Sequence, residues 1–349
     1  MPSFSTSQLT TLSTRILEGA GVPAPEAQIV ADELVGANLV GHDSHGVMRL
    51  MQYCKMIDDG VIKPGAKVEV TQDEPAYALI DGHFNFGQVI VGEALHLLLA
   101  KARSAGTATA MIRNSNHVGR LGSYTDRAAS EGFAALMAVN GPGPGGVAPF
   151  GGIDRKLGTN PISMAAPRTG GNFVLDMTSS ATAEGKLRVA FQKGEQVPPG
   201  MMIDGHGKPS TTPGDYYNEP CGAILPLGGP LLGHKGYGLS VMIDTFCGIV
   251  SGNGVCRTDL PPGCNGVWMY LIDIERFVPR AQFDAMIETY VQHLKSSRRM
   301  EGCDEILLPG EIELRRKRQR EQDGVPIPDE TWRQINELAE RLGVSVANL

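Results

Sequence analysis

The glycine- and proline-rich segment at residues 141–146 restricts the folds open to this chain more than any other. It reads GPGPGG, which matches the G-x-G-x-x-G fingerprint of dinucleotide-binding folds, and it follows an apolar run at 133–140 that predicts a strand. That fingerprint must open a helix whose free N–H groups face a pyrophosphate, whereas Pro142 and Pro144 lack this donor and Pro149 precedes any helical pattern. The segment therefore excludes a Rossmann fold. It predicts a rigid loop, which either lets a ligand approach the backbone or simply connects two elements.

The rest of the chain divides into helical ends and an alternating middle. Residues 5–60 predict helices, and a final helix at 328–342 is expected to dock on them. From Lys67 onward, strands alternate with helices, which is typical of an α/β layer. We expect a mixed α/β fold with a separate helical domain at residues 1–66 plus 276–349. The remaining residues, 67–275, are expected to form a non-Rossmann sheet domain, of one or two subdomains, that binds cofactor and substrate.

Composition narrows the classes of function. The net charge of −7 argues against a general binder of nucleic acid or of anionic membranes, because those partners favour a basic surface. The six cysteines form no C-x-x-C pair, so neither a zinc module nor a disulfide framework is expected. The N-terminus lacks the pattern of a signal peptide, and no apolar run reaches the length of a membrane span. We expect a cytoplasmic protein with reduced thiols whose partners are small molecules or other proteins.

A polar segment, GHDSHGVMR at residues 41–49, interrupts the apolar helical pattern near the N-terminus. A third helix is predicted to follow Ser44. If the whole segment is helical, His42, His45 and Arg49 project from one face, where an apolar stripe would normally lie. Polar groups on a packing face are costly unless they have partners. The segment is therefore either a solvated helix face, with a histidine capping a neighbouring turn, or part of a functional site.

A second histidine, His117, lies where a predicted strand gives way to a helix, a common position for ligand binding in α/β layers. A lone histidine there can also be a cap or a core residue. Carbonyl reduction by hydride transfer builds negative charge on the oxygen, so it needs a proton donor that titrates near neutrality, as histidine does. The planar fork of Arg49 suits a substrate carboxylate, and His45 could hydrogen-bond the reacting end.

Three further stretches are candidates for cofactor contacts. Asp176 ends a predicted strand, where it could accept hydrogen bonds from a ribose or cap the helix that follows. The segment GHKGYG at 233–238 precedes an apolar run at 239–250 that predicts a buried helix, whose N-terminal end would suit an anionic group. Arg315 begins a basic run that is either a solvated helix face or a contact to an adenosine phosphate. Residues 194–220 predict a long surface loop that could cover a site.

These residues resemble a known family, the type 2 malate/L-lactate dehydrogenases, which include ureidoglycolate, sulfolactate and piperideine-carboxylate reducing members. Within it, the resemblance is greatest to the broad 2-hydroxycarboxylate dehydrogenases. The matching segments are Gly41–Arg49 (GHDSHGVMR), Asn114–Gly122 (NSNHVGRLG), Phe150–Pro161 (FGGIDRKLGTNP), Leu175–Lys186 (LDMTSSATAEGK), Gly233–Leu239 (GHKGYGL) and Leu308–Glu311 (LPGE). They are spread over nearly the whole chain.

The resemblance implies a homodimer that reduces 2-oxo acids with NAD or NADP and needs no metal. It implies that His117 donates or accepts the proton and that Ser44, His45 and Arg49 complete the catalytic set. Together with Arg49 and His45, substrate contacts are assigned to Thr159 and Asn160. Cofactor contacts are assigned to Asp176, Met177, Thr178, Lys186, His234, Lys235, Leu308, Pro309, Gly310 and Arg315.

Three alternatives stay open on the sequence. A metal-dependent hydrolase could use His42, His45 and His117 as ligands. A cyclic-imine carboxylate reductase is disfavoured, because some imine-reducing members carry Asp in place of Lys186 and a second His in place of Asn116. A non-catalytic metabolite-binding or assembly protein is the third. For the cofactor, the alternation of Glu with Arg at 311–321 favours a solvated face, so we expect either cofactor to be accepted with less than about a hundredfold preference.

Overall fold

A mixed β-sheet forms the centre of the molecule. The computed structural model describes residues 1–257 and 264–346. Its strands, in chain order, are β1 (Ser3–Phe4), β2 (Glu69–Glu74), β3 (Tyr77–Asp81), β4 (Thr107–Ser115), β5 (Phe133–Asn140), β6 (Pro161–Ala166), β7 (Phe173–Thr178), β8 (Met202–Ile203), β9 (Pro209–Ser210), β10 (Ala223–Ile224), β11 (Asn265–Asp273) and β12 (Val325–Pro326). Over the described residues, the main sheet has the order β2-β3-β4-β11-β5-β6-β7.

The pairing of these strands confirms a mixed α/β fold. Strands β3 and β4 are parallel. The other neighbouring pairs in the main sheet are antiparallel. A Rossmann sheet is built from parallel βαβ units, so this topology agrees with its exclusion. After β5, residues 141–160 contain no helix, and Val147 pairs in isolated bridges with Leu157 and Ile224. The 141–146 segment is thus a loop, as its prolines predict.

Helices cover the sheet and form a second core beside it. In chain order they are α1 (Thr6–Gly19), α2 (Ala24–Leu39), α3 (Leu50–Asp58), α4 (Gly87–Ala105), α5 (Leu121–Ser130), α6 (Glu184–Lys193), α7 (Gly214–Tyr217), α8 (Gly229–Ile243), α9 (Arg280–Lys295), α10 (Glu311–Asp323) and α11 (Asp329–Arg341). Among the residues described, none of these helices is long and apolar enough to cross a membrane.

The helical core draws on both ends of the chain. Ser5 caps α1 through a capping box with Gln8. Buried residues of α1, α2 and α3 pack with Ile335 and Leu338 of α11. Phe86, which precedes α4, also belongs to this core, so α4 links it to the sheet. The docking of the last helix on the first ones is confirmed, whereas the division into domains at residues 66 and 276 stays a prediction.

The polar segment at 41–49 is not a continuous helix, so the condition under which His42, His45 and Arg49 would share one helix face is not met. Residues 43–45 and 47–49 form two short 3₁₀ turns, and α3 begins only at Leu50. Gly46 lies between the turns with φ −89° and ψ −157°, an extended conformation. The side chain of Asn38 holds this geometry, because it donates to Asp43 at 2.7 Å and accepts from the Val47 N–H at 2.8 Å. Tertiary hydrogen bonds thus override the helical period.

The helix predicted at 239–250 begins earlier than expected. Helix α8 starts at Gly229 with a proline in its first turn, so residues 233–238 lie inside it and not at its N-terminal end. Within a single chain the predicted stretch is not buried, because Met242 is 49% exposed and Ile249, in the following π-helical turn, is 65% exposed. The surface excursion at 194–220 contains β8, β9 and α7. Its residues contribute to a small core of their own around Tyr216.

The close contact between Gly46 and Asn38 generates a stability prediction. A Cβ at Gly46 would overlap the Asn38 amide, so Gly46→Ala must displace it and break its bonds to the turn. We expect the free energy of unfolding to fall by about 1–3 kcal/mol. The matched control is Gly36→Ala in α2, where a Cβ meets nothing within 4 Å. This change should stabilise by about 0.5–1 kcal/mol. Urea unfolding measures the free energy of unfolding of both variants, and an equal change in the two variants would contradict the prediction.

Candidate active site

A cavity of about 1000 Å³ lies between the 41–49 turns and one edge of the sheet. Its wall includes the end of β5 and the start of β6 at Pro161. The end of β7 and the first residues of α6 close another side. Gly185 brings α6 close to the turns, since a Cβ there would lie 3.2 Å from the Cβ of Ser44. The helical core and the sheet therefore both contribute polar side chains to one space.

The loop after β4 positions His117 in this wall. The backbone N–H of Asn114 donates to Asn253 at 2.8 Å, and Asn114 itself has φ 53°. The buried Asn116 side chain donates to the backbone carbonyls of Phe84 and Asn85. These bonds brace the turn immediately before His117. The burial of the imidazole lowers its pKa well below its ordinary value, and the positive charge of Arg49 lowers it further.

His45 lies against His117 in the same wall. The two rings are stacked, with centroids 5.5 Å apart and 22° between their planes. Ser44 Oγ is 3.1 Å from His45 Nδ1. Burial and then the charge of Arg49 lower the His45 pKa to about 3. His45 is therefore neutral near pH 7, and it can hydrogen-bond a ligand without carrying charge.

Arg49 is held by its own turn. Its Nε donates to the Ser44 carbonyl at 2.7 Å, and its Nη1 donates to Gln52 at 2.5 Å. No described residue forms a hydrogen bond with Nη2. The guanidinium is a fixed cation in the cavity wall, next to two neutral imidazoles. This arrangement suits a small anion with a polar group beside it.

Asp176 does not cap the helix that follows it in sequence, and its predicted contact with a ribose stays a prediction. Its Oδ2 accepts from the Gly122 N–H at 2.7 Å, in the first turn of α5, and lies 3.5 Å from Arg120 Nε. It therefore caps α5, whereas the sequence pointed to α6, and it faces a buried cation. Arg120 is 9% exposed and its Nε has no hydrogen-bond partner in the described structure.

The structure brings most of the predicted site residues together, and some lie elsewhere. Those that line the cavity are His42, Ser44, His45, Arg49, His117, Thr159, Asn160, Asp176, Met177, Thr178 and Lys186. Those that lie outside its wall are His234, Lys235, Leu308, Pro309, Gly310 and Arg315.

The residues outside the wall have structural reasons to be there. His234 and Lys235 are carried inside α8, where the His234 ring packs against Phe150. Pro309 accepts a hydrogen bond from the Val174 N–H, which places the 308–310 turn along the edge of β7. Arg315 forms an ion pair with Glu305 at 2.6 Å. For these residues, a contact with the cofactor stays a prediction.

Sequence reasoning missed several residues of the cavity wall. Arg120 lies inside the quoted segment Asn114–Gly122, so its place in that motif was a usable signal. Arg316 lines the cavity in place of Arg315, because neighbours on a helix point about 100° apart. A Cβ at Gly41, which has φ 85°, would overlap the Arg316 side chain. Glu184 accepts from the Tyr217 phenol at 2.9 Å and pairs with Arg188, and no sequence pattern signals this network.

The geometry gives the metal-hydrolase alternative little support. His42 lies 3.6 Å from Glu313 of α10, whereas His45 and His117 stack on each other. Within residues 1–257 and 264–346, no three His, Cys, Asp or Glu side chains come together in a group that could hold a metal ion. The three histidines proposed as ligands do not converge on one point there.

Comparison with known proteins agrees with this geometry. A malate dehydrogenase of Pyrococcus horikoshii is 40% identical over 337 residues, which span 95% of this chain and 92% of that protein. Hydroxycarboxylate dehydrogenase B of Escherichia coli K12 is 34% identical over 348 residues, spanning 98% and 94% of the two chains. The solved structure of malate dehydrogenase from P. horikoshii OT3 has a TM-score of 0.90 at 36% identity, and the match covers 99% of this chain and 96% of that one. The sequence profile of the malate/L-lactate dehydrogenases matches residues 4–336, and this chain therefore belongs to that family.

Proposed function

We propose that this protein transfers a hydride between a nicotinamide dinucleotide and a small 2-oxo or 2-hydroxy carboxylic acid. The observation that carries the proposal is the convergence of Arg49, His45 and His117 on one cavity. This set supplies a carboxylate clamp, a neutral hydrogen-bonding group and a proton carrier. Membership of a dehydrogenase family supports the class of reaction.

The cavity wall fits a polar dinucleotide. The buried Asn160 Oδ1 and Arg120 Nε have no hydrogen-bond partners in the described protein. Both residues line the cavity, so a ligand that offers a donor and an anion would satisfy them. We assign the cofactor to Asn160, Met177 and Thr178 on one side and to Arg316 at the α10 end. When bound, the nicotinamide ring supplies or accepts the hydride.

The protein residues then have separate roles. Arg49 binds the substrate carboxylate through its guanidinium fork and fixes the direction of the 2-oxo group. His45 hydrogen-bonds the reacting end of the substrate. As a hydride reaches the carbonyl carbon, negative charge grows on the oxygen and His117 gives it a proton, so that one hydride and one proton convert the oxo acid into the hydroxy acid. In the reverse direction, neutral His117 removes the hydroxyl proton.

The charge of the substrate helps this proton transfer. Arg49 lowers the pKa of His117 in the free protein. A carboxylate bound to Arg49 offsets that positive charge, so the pKa of His117 rises when an oxo acid binds. The imidazolium needed for reduction is therefore favoured only once the substrate is present.

The first prediction separates the roles of His117 and Arg49. A screen of NADH and NADPH oxidation against pyruvate, oxaloacetate, glyoxylate, hydroxypyruvate and 2-oxoglutarate identifies the substrate. With that substrate, His117→Asn should lower kcat by about 10²–10⁴-fold with little change in cofactor affinity. Arg49→Lys should mainly raise KM, because a point charge cannot replace a bidentate fork. The exposed His96 of α4 provides a control, His96→Asn, with unchanged kinetics. An unchanged kcat for His117→Asn would contradict the assignment.

The two cofactors should both be accepted, with less than about a hundredfold preference between them. A carboxylate that selects NAD must bond the ribose hydroxyl and repel a 2′-phosphate. The Asp176 carboxylate already accepts from the Gly122 N–H and pairs with Arg120. It is therefore poorly placed to bond the ribose hydroxyl and to repel a 2′-phosphate. Arg316 is the residue of the basic run that can attract the phosphate, because it lines the cavity.

We therefore expect Arg316→Met to weaken NADPH binding by up to about fivefold and NADH binding less, since an ion pair at an exposed site contributes at most about 1 kcal/mol. Arg318→Met, an exposed change on the same helix, should alter neither dissociation constant. Fluorescence titration at two salt concentrations measures both dissociation constants, and the loss of NADPH affinity caused by Arg316→Met should be smaller at the higher salt concentration. If the change weakened the binding of both cofactors equally, Arg316 would instead contact a part of the dinucleotide that NADH and NADPH share.

We also propose a homodimer built on α8 and the π-helical turn after it. This stretch exposes a run of large apolar side chains: Leu231, Leu232, Val241, Met242, Ile249 and Val250. Monomeric proteins rarely expose apolar patches of that kind. A second copy of the chain is the partner that the family resemblance implies.

Sedimentation equilibrium should therefore give twice the mass of the chain. Leu231→Glu combined with Ile249→Glu should shift the protein to monomer, because two carboxylates would be buried in the interface. Met286→Glu on α9, where Met286 is 61% exposed, changes an apolar residue of another surface and should leave the dimer intact. A dimer that survives the double change would place the interface elsewhere.

A further inference from the structure

A chain of hydrogen bonds runs from His117 into the protein interior. Tyr53 Oη lies 2.7 Å from His117 Nδ1. Gln88 of α4 donates from its Nε2 to the same phenol oxygen at 2.8 Å. Tyr53 and Gln88 are both buried, with 0% and 1% of their surface exposed. No described residue forms a hydrogen bond with Nε2 of His117, so that nitrogen is the one left for a ligand.

The orientation of the Gln88 amide determines which ring nitrogen of neutral His117 carries the proton. A phenol has one hydrogen. While Gln88 Nε2 faces Tyr53, the phenol oxygen accepts from the amide and its hydrogen points to Nδ1 of His117. A neutral His117 must then carry its own proton on Nε2, and it cannot accept a proton there from a 2-hydroxy acid.

The opposite orientation of the amide reverses this result. If Gln88 Oε1 faces Tyr53, the phenol donates to Oε1 and its oxygen accepts from the Nδ1–H of His117. Nε2 then carries a lone pair and can act as the base. After reduction of an oxo acid, the imidazolium is left in this same state, with its remaining proton on Nδ1.

We propose that Gln88 is a positioning residue which, through Tyr53, selects the tautomer of His117, with Oε1 facing the phenol in the reactive state. The proposal rests on the role of His117 as proton carrier. It makes Tyr53 and Gln88 part of the proton-transfer machinery although neither lines the cavity.

One observation supports an amide that can take either orientation, and a second supports a phenol that keeps its hydrogen. Gln88 Oε1 is buried and has no hydrogen-bond partner while Nε2 faces the phenol. Each orientation therefore pairs only one end of the amide, and the proton state of His117 can select between them. Burial also raises the pKa of Tyr53 to about 12, so the phenol keeps the hydrogen that it must donate. The other titratable or charged groups around His117 in the described structure are His45 and Arg49 of the 3₁₀ turns.

The direct test is the tautomer of His117 in the free protein. Nitrogen-15 NMR of histidine-labelled protein above the pKa of the ring distinguishes a protonated Nδ1 from a protonated Nε2, and His117→Asn assigns the signal. Gln88→Glu, whose carboxylate only accepts, should hold the proton on Nδ1. Gln88→Met, which is similar in shape to Gln but lacks the acceptor, should hold it on Nε2, and the wild type, whose amide can take either orientation, should show both tautomers. The same tautomer in Gln88→Glu and Gln88→Met would overturn the proposal.

Kinetics supply a second test that a purely structural role would not pass. For oxidation of the 2-hydroxy acid, Gln88→Met should lower kcat by at least about tenfold, because a wrong tautomer blocks proton transfer. Gln88→Glu should retain kcat and move the acid limb of the pH profile to higher pH, since its negative charge favours the imidazolium. Adding Gln88→Met to Tyr53→Phe should cause no further loss, because Gln88 acts through the phenol.

The control is Tyr124→Phe, which removes another buried phenol, one that donates to the Val118 carbonyl at 2.7 Å. It should lower stability without moving the tautomer or the midpoint of the pH profile. An equal loss from Gln88→Met in the wild type and in Tyr53→Phe would overturn the relay. If His117→Asn kept full activity while Gln88→Met still changed the tautomer, the proposed function would fail and the tautomer control would stand.

Discussion

The side-chain amide of Asn38 is the contact on which the geometry of the site depends. It fastens the turns at 43–49 to the end of α2 through Asp43 and Val47. Arg320 of α10 adds a second link, because it forms a salt bridge with Asp43 at 2.6 Å and donates to the Asn38 carbonyl. The turns and α10, which are distant from each other in sequence, thus meet at one asparagine at the end of α2. The position of Arg49 relative to His117 follows from that convergence.

Burial and the charge of Arg49 set the protonation of the two histidines in the wall. Burial lowers the pKa values of His45 and His117 most, and the field of Arg49 lowers them further, so both rings are neutral in the free protein. An empty site therefore carries a charge that attracts an anion without a competing imidazolium. Binding of a carboxylate changes this balance, so recognition of the acid and readiness for proton transfer are coupled through one guanidinium. A neutral substrate analogue would lack this coupling even if it had the same shape.

Local sequence patterns predicted the bounds of a strand or helix correctly where the hydrophobic pattern of its own residues determines them. The bounds of β5 match the apolar run at 133–140 residue by residue, because most of its side chains are buried. The 3.6-residue period does not describe residues 41–49, because the hydrogen bonds of Asn38 decide the backbone there and a local sequence pattern does not reveal them. The period also failed at α8, since Pro230 opens the helix earlier than the apolar run suggests. The catalytic candidates were identified from their residue types and motifs. The choice of Arg316 over Arg315 depends on how α10 is rotated about its axis. The link from His117 to Gln88 depends on tertiary packing, which the sequence does not show.

The helical core has a consequence for how the chain is made. It joins residues 9–62 to residues 325–339, with the whole sheet between them. The sheet core uses residues 78–271, so during synthesis it is complete before the last helices leave the ribosome. The first three helices must wait with an uncovered apolar face until α11 arrives. The sheet can therefore fold while one side of the cavity is still open, and the cavity closes only after α10, which contributes Ile312, Glu313 and Arg316 to its wall, has been made.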